Sequence, residues 1–294
     1  MISLLVIGDV VTDVLARHGD ALEPGAVSDT RADISVQPGG SAANTAAWMA
    51  SLGASVRLLA SVGSDTGDWH RDVLLAAGVS PVLRVRPDQP TATIVVMVER
   101  SGERTMLAHR GAGALLAPDD WDDGLLTGVG HLHLSGYLLF TPSGRALADL
   151  ATARARSRGL TVSVDPASTG FLRDFGPAAF VQATAGADVI LPNLDEALLL
   201  TGETTAEAAA LALCGSYGLA AVKMGAEGAV AGRPGRITAR VPGASVTALD
   251  STGAGDAFAA GFLLAHLSGA DDDAALTAGC ASGAAAVTRV SGRP

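Results

Sequence analysis

Short apolar runs alternate with longer stretches of helical period along most of the chain. Leu4–Ile7, Val56–Ser61, Val129–Leu134, Thr161–Val164, Val189–Leu191 and Ala220–Lys223 read as strands. Several are apolar throughout, as strands covered on both faces are. Ser41–Leu52, Gly67–Ala77, Ser143–Arg158, Asp195–Thr201, Ala206–Tyr217, Ala257–His266 and Asp272–Thr288 read as helices. Gly53, Gly78 and Gly159 stand where helices of this kind stop. The alternation predicts an α/β fold with a mainly parallel sheet flanked by helices. Two segments break the rhythm. Leu15–Gln37 is polar and aperiodic, and Thr91–Leu107 reads as a hairpin turning at Ser101-Gly-Glu103. Together they predict a small antiparallel sheet standing off the main body.

Composition narrows the partners. With 294 residues, 48% hydrophobic and 17% charged, the chain can build one large core. A formal charge of −10 argues against nucleic acid or an anionic membrane as the main partner. The two cysteines, Cys214 and Cys280, have no metal spacing and read as buried thiols of a reduced, cytoplasmic protein, with a disulfide between them as the alternative. The opening Met-Ile-Ser-Leu-Leu-Val-Ile-Gly lacks a basic leader and reads as a core strand. Lys223 is the only lysine, and neither GxxxxGK[ST] nor GxGxxG occurs.

The run Asp250-Ser-Thr-Gly-Ala-Gly-Asp-Ala-Phe258 carries the most chemistry. Gly253, Ala254 and Gly255 can bend so that successive N–H groups meet one anion, and a following helix adds its dipole. Asp256 inside that turn is either an ordinary first-turn acid or a base that deprotonates a hydroxyl while the turn holds charge on a phosphoryl group.

Other motifs leave similar alternatives. In Gly8-Asp9-Val-Val-Thr-Asp13, Asp9 reads as a capping or turn residue and Asp13 as an acceptor for substrate hydroxyls. In Pro38-Gly-Gly-Ser-Ala-Ala-Asn44, Gly39 and Gly40 allow close approach to the backbone, while Asn44 offers a donor and an acceptor. A Ser-capped helix start would explain those glycines but not Asn44. Asn193-Leu-Asp-Glu196 fits a capping box, which alone is the better reading, or a hydrated Mg²⁺. Lys223-Met-Gly225-Ala-Glu-Gly228 is a plain hairpin turn or a nucleotide contact. His131 and His133 face one side of a strand with no third ligand nearby and read as structural, without zinc.

In this order, Gly-Asp-x3-Asp, Pro-Gly-Gly-x3-Asn, Asn-x2-Glu, Gly-x2-Gly and Asp-x-Thr-Gly-Ala-Gly-Asp, the motifs resemble the ribokinase-like (PfkB) carbohydrate kinases from about Leu4 to Val290. The resemblance implies one doubly wound α/β domain over residues 1–294, with β-lid segments at about 15–37 and 91–107. It implies Asp256 as base, Gly253, Ala254 and Gly255 as anion hole, and Asp13, Gly39, Gly40 and Asn44 as the sugar grip. Asn193 and Glu196 would organise Mg²⁺ through water near the ATP phosphates, with Lys223, Gly225, Gly228 and Ser282 along the nucleotide. Asp250 and Thr252 match positions that in some members help hold K⁺. Arg110, in His109-Arg-Gly-Ala-Gly-Ala114, matches a lid-return segment and would pair with a substrate carboxylate or phosphate, or else is a surface arginine. Members often dimerise through their lids, which implies a homodimer. One departure concerns the substrate: Asp165-Pro-Ala-Ser-Thr169 lacks the Asn and Arg of Asp-x-Asn-x-Arg. The expected activity is transfer of the γ-phosphate of ATP to a hydroxyl of a small sugar or sugar-like metabolite. The alternatives are a nucleoside kinase of adenosine or pseudouridine type, for which 4% aromatics give little base stacking, and a catalytically silent sugar or nucleotide sensor.

Overall fold

The computed structural model of the chain describes residues 2–19, 29–99, 104–166 and 168–294. In the interior of its main sheet lies β1 (Ser3–Ile7), whose Leu4, Leu5, Val6 and Ile7 are all fully buried. Side chains alternate along a strand, so Leu4 and Val6 join one hydrophobic core and Leu5 and Ile7 the other. That arrangement requires helices on both faces. β4 (Ser55–Gly63) and β8 (His131–Ser135) flank β1 in parallel, with Val6 opposite both Leu58 and His133. Outside β4 lies β5 (Val79–Arg86), while β9 (Thr161–Asp165), β10 (Val189–Ile190) and β11 (Leu219–Lys223) continue the parallel run beyond β8. Antiparallel β12 (Ala229–Arg233) and β13 (Arg236–Val241) close that side. The chain winds from β1 towards β5 and then crosses back to β8, so its direction reverses between β1 and β8. In such sheets the crevice opens at the carboxyl ends of the strands at that point.

One face is covered by α1 (Ser41–Ser51), α2 (Gly67–Ala76), α8 (Ala254–Leu267) and α9 (Asp272–Val287). The other carries α3 (Pro142–Ser157), α4 (Thr169–Phe175), α5 (Pro177–Ala183), α6 (Leu194–Thr201) and α7 (Ala206–Leu213). α8 and α9 meet through small residues. A Cβ on Gly261 would reach the Ala278 carbonyl oxygen at 2.6 Å, and one on Gly279 would strike the Phe258 ring at 2.8 Å.

A second sheet has the order β3-β2-β6-β7, formed by β2 (Val11–His18), β3 (Ala32–Gly39), β6 (Ala92–Val98) and β7 (Arg104–His109). It is mixed rather than antiparallel, because β2 and β6 both enter it from the main sheet side and pair in parallel. The segment Leu15–Gln37, expected to contribute to a small sheet, holds half of β2 and most of β3, while its residues 20–28 and the hairpin turn expected at 101–103 lie outside the described residues. β5 escapes the hydrophobic pattern because Pro81, Arg84 and Arg86 interrupt it; as an edge strand it tolerates the proline. α8 begins at Ala254 rather than Ala257, which places Asp256 inside its first turn.

Candidate active site

A cavity of about 600 Å³ lies at the carboxyl ends of the strands, beneath the small sheet. One end is polar, lined by Asp9, Asp13, Asn44 and Asp256. The other is apolar, lined by Val246, Ala248, Ala284 and Val287. The first turn of α8 stands between them. Gly253 caps that helix at φ 74°, and a Cβ there would collide with the backbone of Gly292. The N–H groups of Gly255 and Asp256 donate to no protein acceptor among the described residues. With the helix dipole, they make an anion-binding turn.

Asp256 is held at both carboxylate oxygens: Oδ1 accepts from Ser41 Oγ at 2.8 Å and Oδ2 from Asn44 Nδ2 at 3.0 Å. Burial, then the charge of Asp165, pushes its pKa up to about 7, against the pull of Ser41, Asn44 and Lys223. A carboxyl poised near neutrality can take a proton from a hydroxyl and later release it.

Asp9 proves to be a cap reached across the sequence. Its carboxylate accepts from Ser41 N at 2.9 Å and Ala42 N at 3.2 Å, the opening amides of α1, and also from Ser135 Oγ at 3.1 Å. The paired glycines serve the protein as much as any ligand. Gly39 leaves room for the Asp13 carboxylate, and Gly40, at φ 100°, passes under the Asp9 carbonyl. Burial, then Asp9, raises Asp13 to about 7, partly offset by Arg293. Arg293 is itself buried: Nε donates to Asn44 Oδ1 at 3.2 Å and Nη2 to Gly39 O at 2.9 Å.

On the far side Lys223 Nζ donates to Asp165 Oδ2 at 2.6 Å and lies 3.3 Å from where a Cβ of Gly255 would stand. Burial pulls the lysine pKa down, but Asp165 and Glu196 hold it above its ordinary value. Asn193 and Glu196 form the reciprocal capping box of α6, with Asn193 Oδ1 accepting from Glu196 N and Glu196 Oε2 from Asn193 N, both at 2.9 Å. Burial, then Asp165, pushes Glu196 above the usual carboxylate range. No group of three or more His, Cys, Asp or Glu gathers around a metal-sized point among the described residues. Among the described residues no hydrogen bond reaches Glu196 Oε1, and an all-oxygen donor set of this kind fits Mg²⁺ that keeps its waters and binds phosphate oxygens. Gly225 (φ 59°) and Gly228 (φ 95°) turn β11 into β12 and both line the cavity; Gly228 also packs against the end of β13.

Four expected contacts are placed elsewhere, the first being Gly39, which packs against the Asp13 carboxylate and does not line the cavity. Arg110 does not line the cavity: Nη2 donates to Tyr137 O at 2.5 Å and its guanidinium lies 5.6 Å from the centre of the Phe171 ring. Ser282 is buried between α9 and α8 against Gly261; Cys280, Gly283 and Ala284 are the neighbours that reach the cavity. Asp250 is buried away from the lining, where its Oδ1 accepts from Thr252 N at 2.9 Å and Thr252 Oγ1 at 2.7 Å. Of the two thiols, Cys214 is buried and Cys280 half-buried at the cavity wall. His131 and His133 do share a face, and Ser163 Oγ lies between His131 Nε2 at 2.7 Å and His133 Nδ1 at 2.8 Å.

Sequence reasoning missed Ser41, Tyr137, Asp165 as partner of Lys223, and Arg293. Ser41 sits within the Gly-Gly-Ser run and Asp165 ends a strand, so both carried a signal; nothing near Arg293 marked it.

The chain matches the description "pfkB family carbohydrate kinase" over residues 1–294. It is 34% identical to the ATP-dependent ribose-1-phosphate kinase of Halopiger xanaduensis over 300 residues, covering 100% of this chain and 94% of that protein. Among solved structures, the adenosine kinase of Sinorhizobium meliloti superposes with a TM-score of 0.89 at 26% identity, covering 100% of this chain and 96% of that one. A candidate ribokinase II of Escherichia coli in complex with ATP and Mg²⁺ superposes at 0.85 and 25% identity, covering 99% and 94%.

Proposed function

The chain belongs to the PfkB family of carbohydrate kinases and is a sugar or nucleoside kinase, and we propose that it transfers the γ-phosphate of ATP to a hydroxyl of a small sugar, with Asp256 as base. The observation that carries this reading is the placement of Asp256 within the open first turn of α8, at the junction of the polar and apolar ends of one cavity. A hydroxyl held by Asp13 and Asn44 would meet Asp256, which takes its proton. The free N–H groups of the turn would hold the negative charge of the phosphoryl group, with Lys223 beside them. Mg²⁺, when bound through water near Glu196 and Asn193, would neutralise phosphate charge. The apolar end suits a nucleotide base, reached past Gly225 and Gly228. A K⁺ role for Asp250 and Thr252 belongs to the same proposal and rests on the motif.

The charge of the polar end favours an uncharged acceptor. Asp9 and Asp13 line it, and the nearby arginines, Arg110 and Arg293, are already committed to protein carbonyls and do not line the cavity. A second reading, a nucleoside acceptor, is favoured by Tyr137, which lines the same end and heads a cluster with Phe140 and Phe171. ADP release across matched pentoses, hexoses, nucleosides and sugar phosphates tests both readings. Turnover on a neutral acceptor is expected. Binding without turnover on any of them would make the protein a sensor. With the best acceptor, Asp256→Asn should lower kcat by roughly 10²- to 10⁴-fold and leave ATP binding intact. Native turnover in that variant would remove Asp256 as the base.

A further inference from the structure

We propose that Arg293 is a positioning residue for the proton acceptor, locking the Asn44 amide so that Nδ2, and not Oδ1, is presented to Asp256. The inference rests on the reading of Asp256 as base. A carboxamide has two near-equivalent orientations, and its neighbours decide between them. A guanidinium has donors only, so Arg293 Nε, 3.2 Å away, can face only the carbonyl oxygen of Asn44. The amide nitrogen is thereby turned to Asp256 Oδ2 at 3.0 Å, where the carboxylate needs a donor. Without Arg293 the amide is free to flip and set its oxygen against the carboxylate.

The surroundings fix Arg293 for this task. Its Nη2 donates to Gly39 O, tying β3 to the same point. The segment that bears it is wedged between α1 and the head of α8. Trp48 Nε1 donates to Gly292 O at 3.1 Å, Arg289 lies over the Trp48 ring, and Gly253 packs directly on the Gly292 backbone. A Cβ on Gly292 would stand 2.7 Å from Asn44 Nδ2, so this close pass needs glycine. Arg293 does not line the cavity. Its Nη1 is buried with no hydrogen-bond partner among the described residues.

The charged and titratable groups around the chain of contacts come from every packed element. Asp165 of β9 and Lys223 of β11 act on Asp256, and Arg293 faces it from the far side. Burial, with the charges of Asp9 and Asp256, in turn holds the Tyr137 phenol after β8 protonated. Asp9, Asp13 and His70 of α2 surround Arg293. Removing Arg293 takes away a cation and the oriented amide donor together, and both changes favour protonated Asp256.

The experiment measures kcat/KM against pH for the full chain carrying Arg293→Ala, on the best acceptor of the panel above. A fall of roughly 10- to 100-fold is expected, with KM for ATP unchanged and the acid limb displaced to higher pH. Added guanidinium ion should fill the vacated space and restore both rate and limb. Arg293→Lys, which keeps charge and stem but cannot reach both acceptors in a planar fork, is expected to fold and show the same direction of change. Native kinetics in either folded variant would overturn the proposal. So would a loss uniform across pH that guanidinium does not relieve. If Asp256→Asn retains native turnover, the base itself is wrong; if that variant is inactive while both Arg293 variants are native, only this inference falls.

Discussion

At the residue scale, the site is a set of acids held apart by one lysine and two hydrogen-bonded partners. Asp256, with a pKa near 7, must be unprotonated to accept the hydroxyl proton, so kcat/KM should fall as pH drops through about 7. Lys223 lowers the Asp256 value and neutralises Asp165, whose charge raises it. Lys223→Met removes the first effect and exposes the second, and both act in one direction. The acid limb should therefore move up by roughly one pH unit, with a lower plateau. An unmoved limb in a folded Lys223→Met protein would show that the lysine does not set the base. The buried histidine pair is a contrast. Burial first, and then the charge of His133, holds His131 down to about 3; burial holds His133 down to about 4, so both rings are neutral where the enzyme would work.

At the scale of elements, small residues decide how closely helices approach. Gly261→Val in α8 would set a branched Cβ against the Ala278 carbonyl oxygen, 2.6 Å away, and the Ser282 side chain. A loss of about 1–3 kcal/mol is expected from denaturant melts. No loss would mean that α9 gives way freely. This scale also shows what the sequence made legible. The strands buried on both faces and the periodic helices could be read because their apolar positions answer to a local rule. The polar β2 and β3 could be read only as part of a small sheet and not as bounded strands, since Thr12, Asp13 and Gln37 interrupt the pattern. The motif residues Asp13, Gly40, Asn44, Gly225, Gly228 and Asp256 do gather in one cavity. The capping box at Asn193 and Glu196 was legible as a cap, because its two hydrogen bonds span three residues. Arg293 was not: its contact with Asn44 spans 249 positions, and no local spacing encodes that.

At the scale of the whole molecule, the small sheet has two unlike faces. Asp13 and Ile94 are paired neighbours that turn one face to the cavity. One residue further along, Val36, Val14, Val95 and Leu107 stand in a row on the opposite face, followed by Ile34, Ala16 and Met97. Ile34, Val36 and Leu107 are more than half exposed there, an apolar surface of the kind that joins subunits. A homodimer through this face follows as a proposal. In solution light scattering, the double variant Val36→Lys, Leu107→Lys should have the mass of a single 29.3 kDa chain and the native protein twice that. A native monomer would leave the face without a second copy. No helix among the described residues is long and apolar enough to cross a membrane.

The pairing of Lys223 with Asp165 has a consequence for labelling chemistry. A chain with nineteen arginines and one lysine offers acylating reagents a single side-chain amine, and here that amine is only 11% exposed and bound to a carboxylate. Surface acylation, which in most enzymes blurs the meaning of inactivation, has no lysine to act on. Any loss of activity that follows side-chain amine modification, and any protection that a bound ligand gives against it, reports on one known atom at the floor of the cavity.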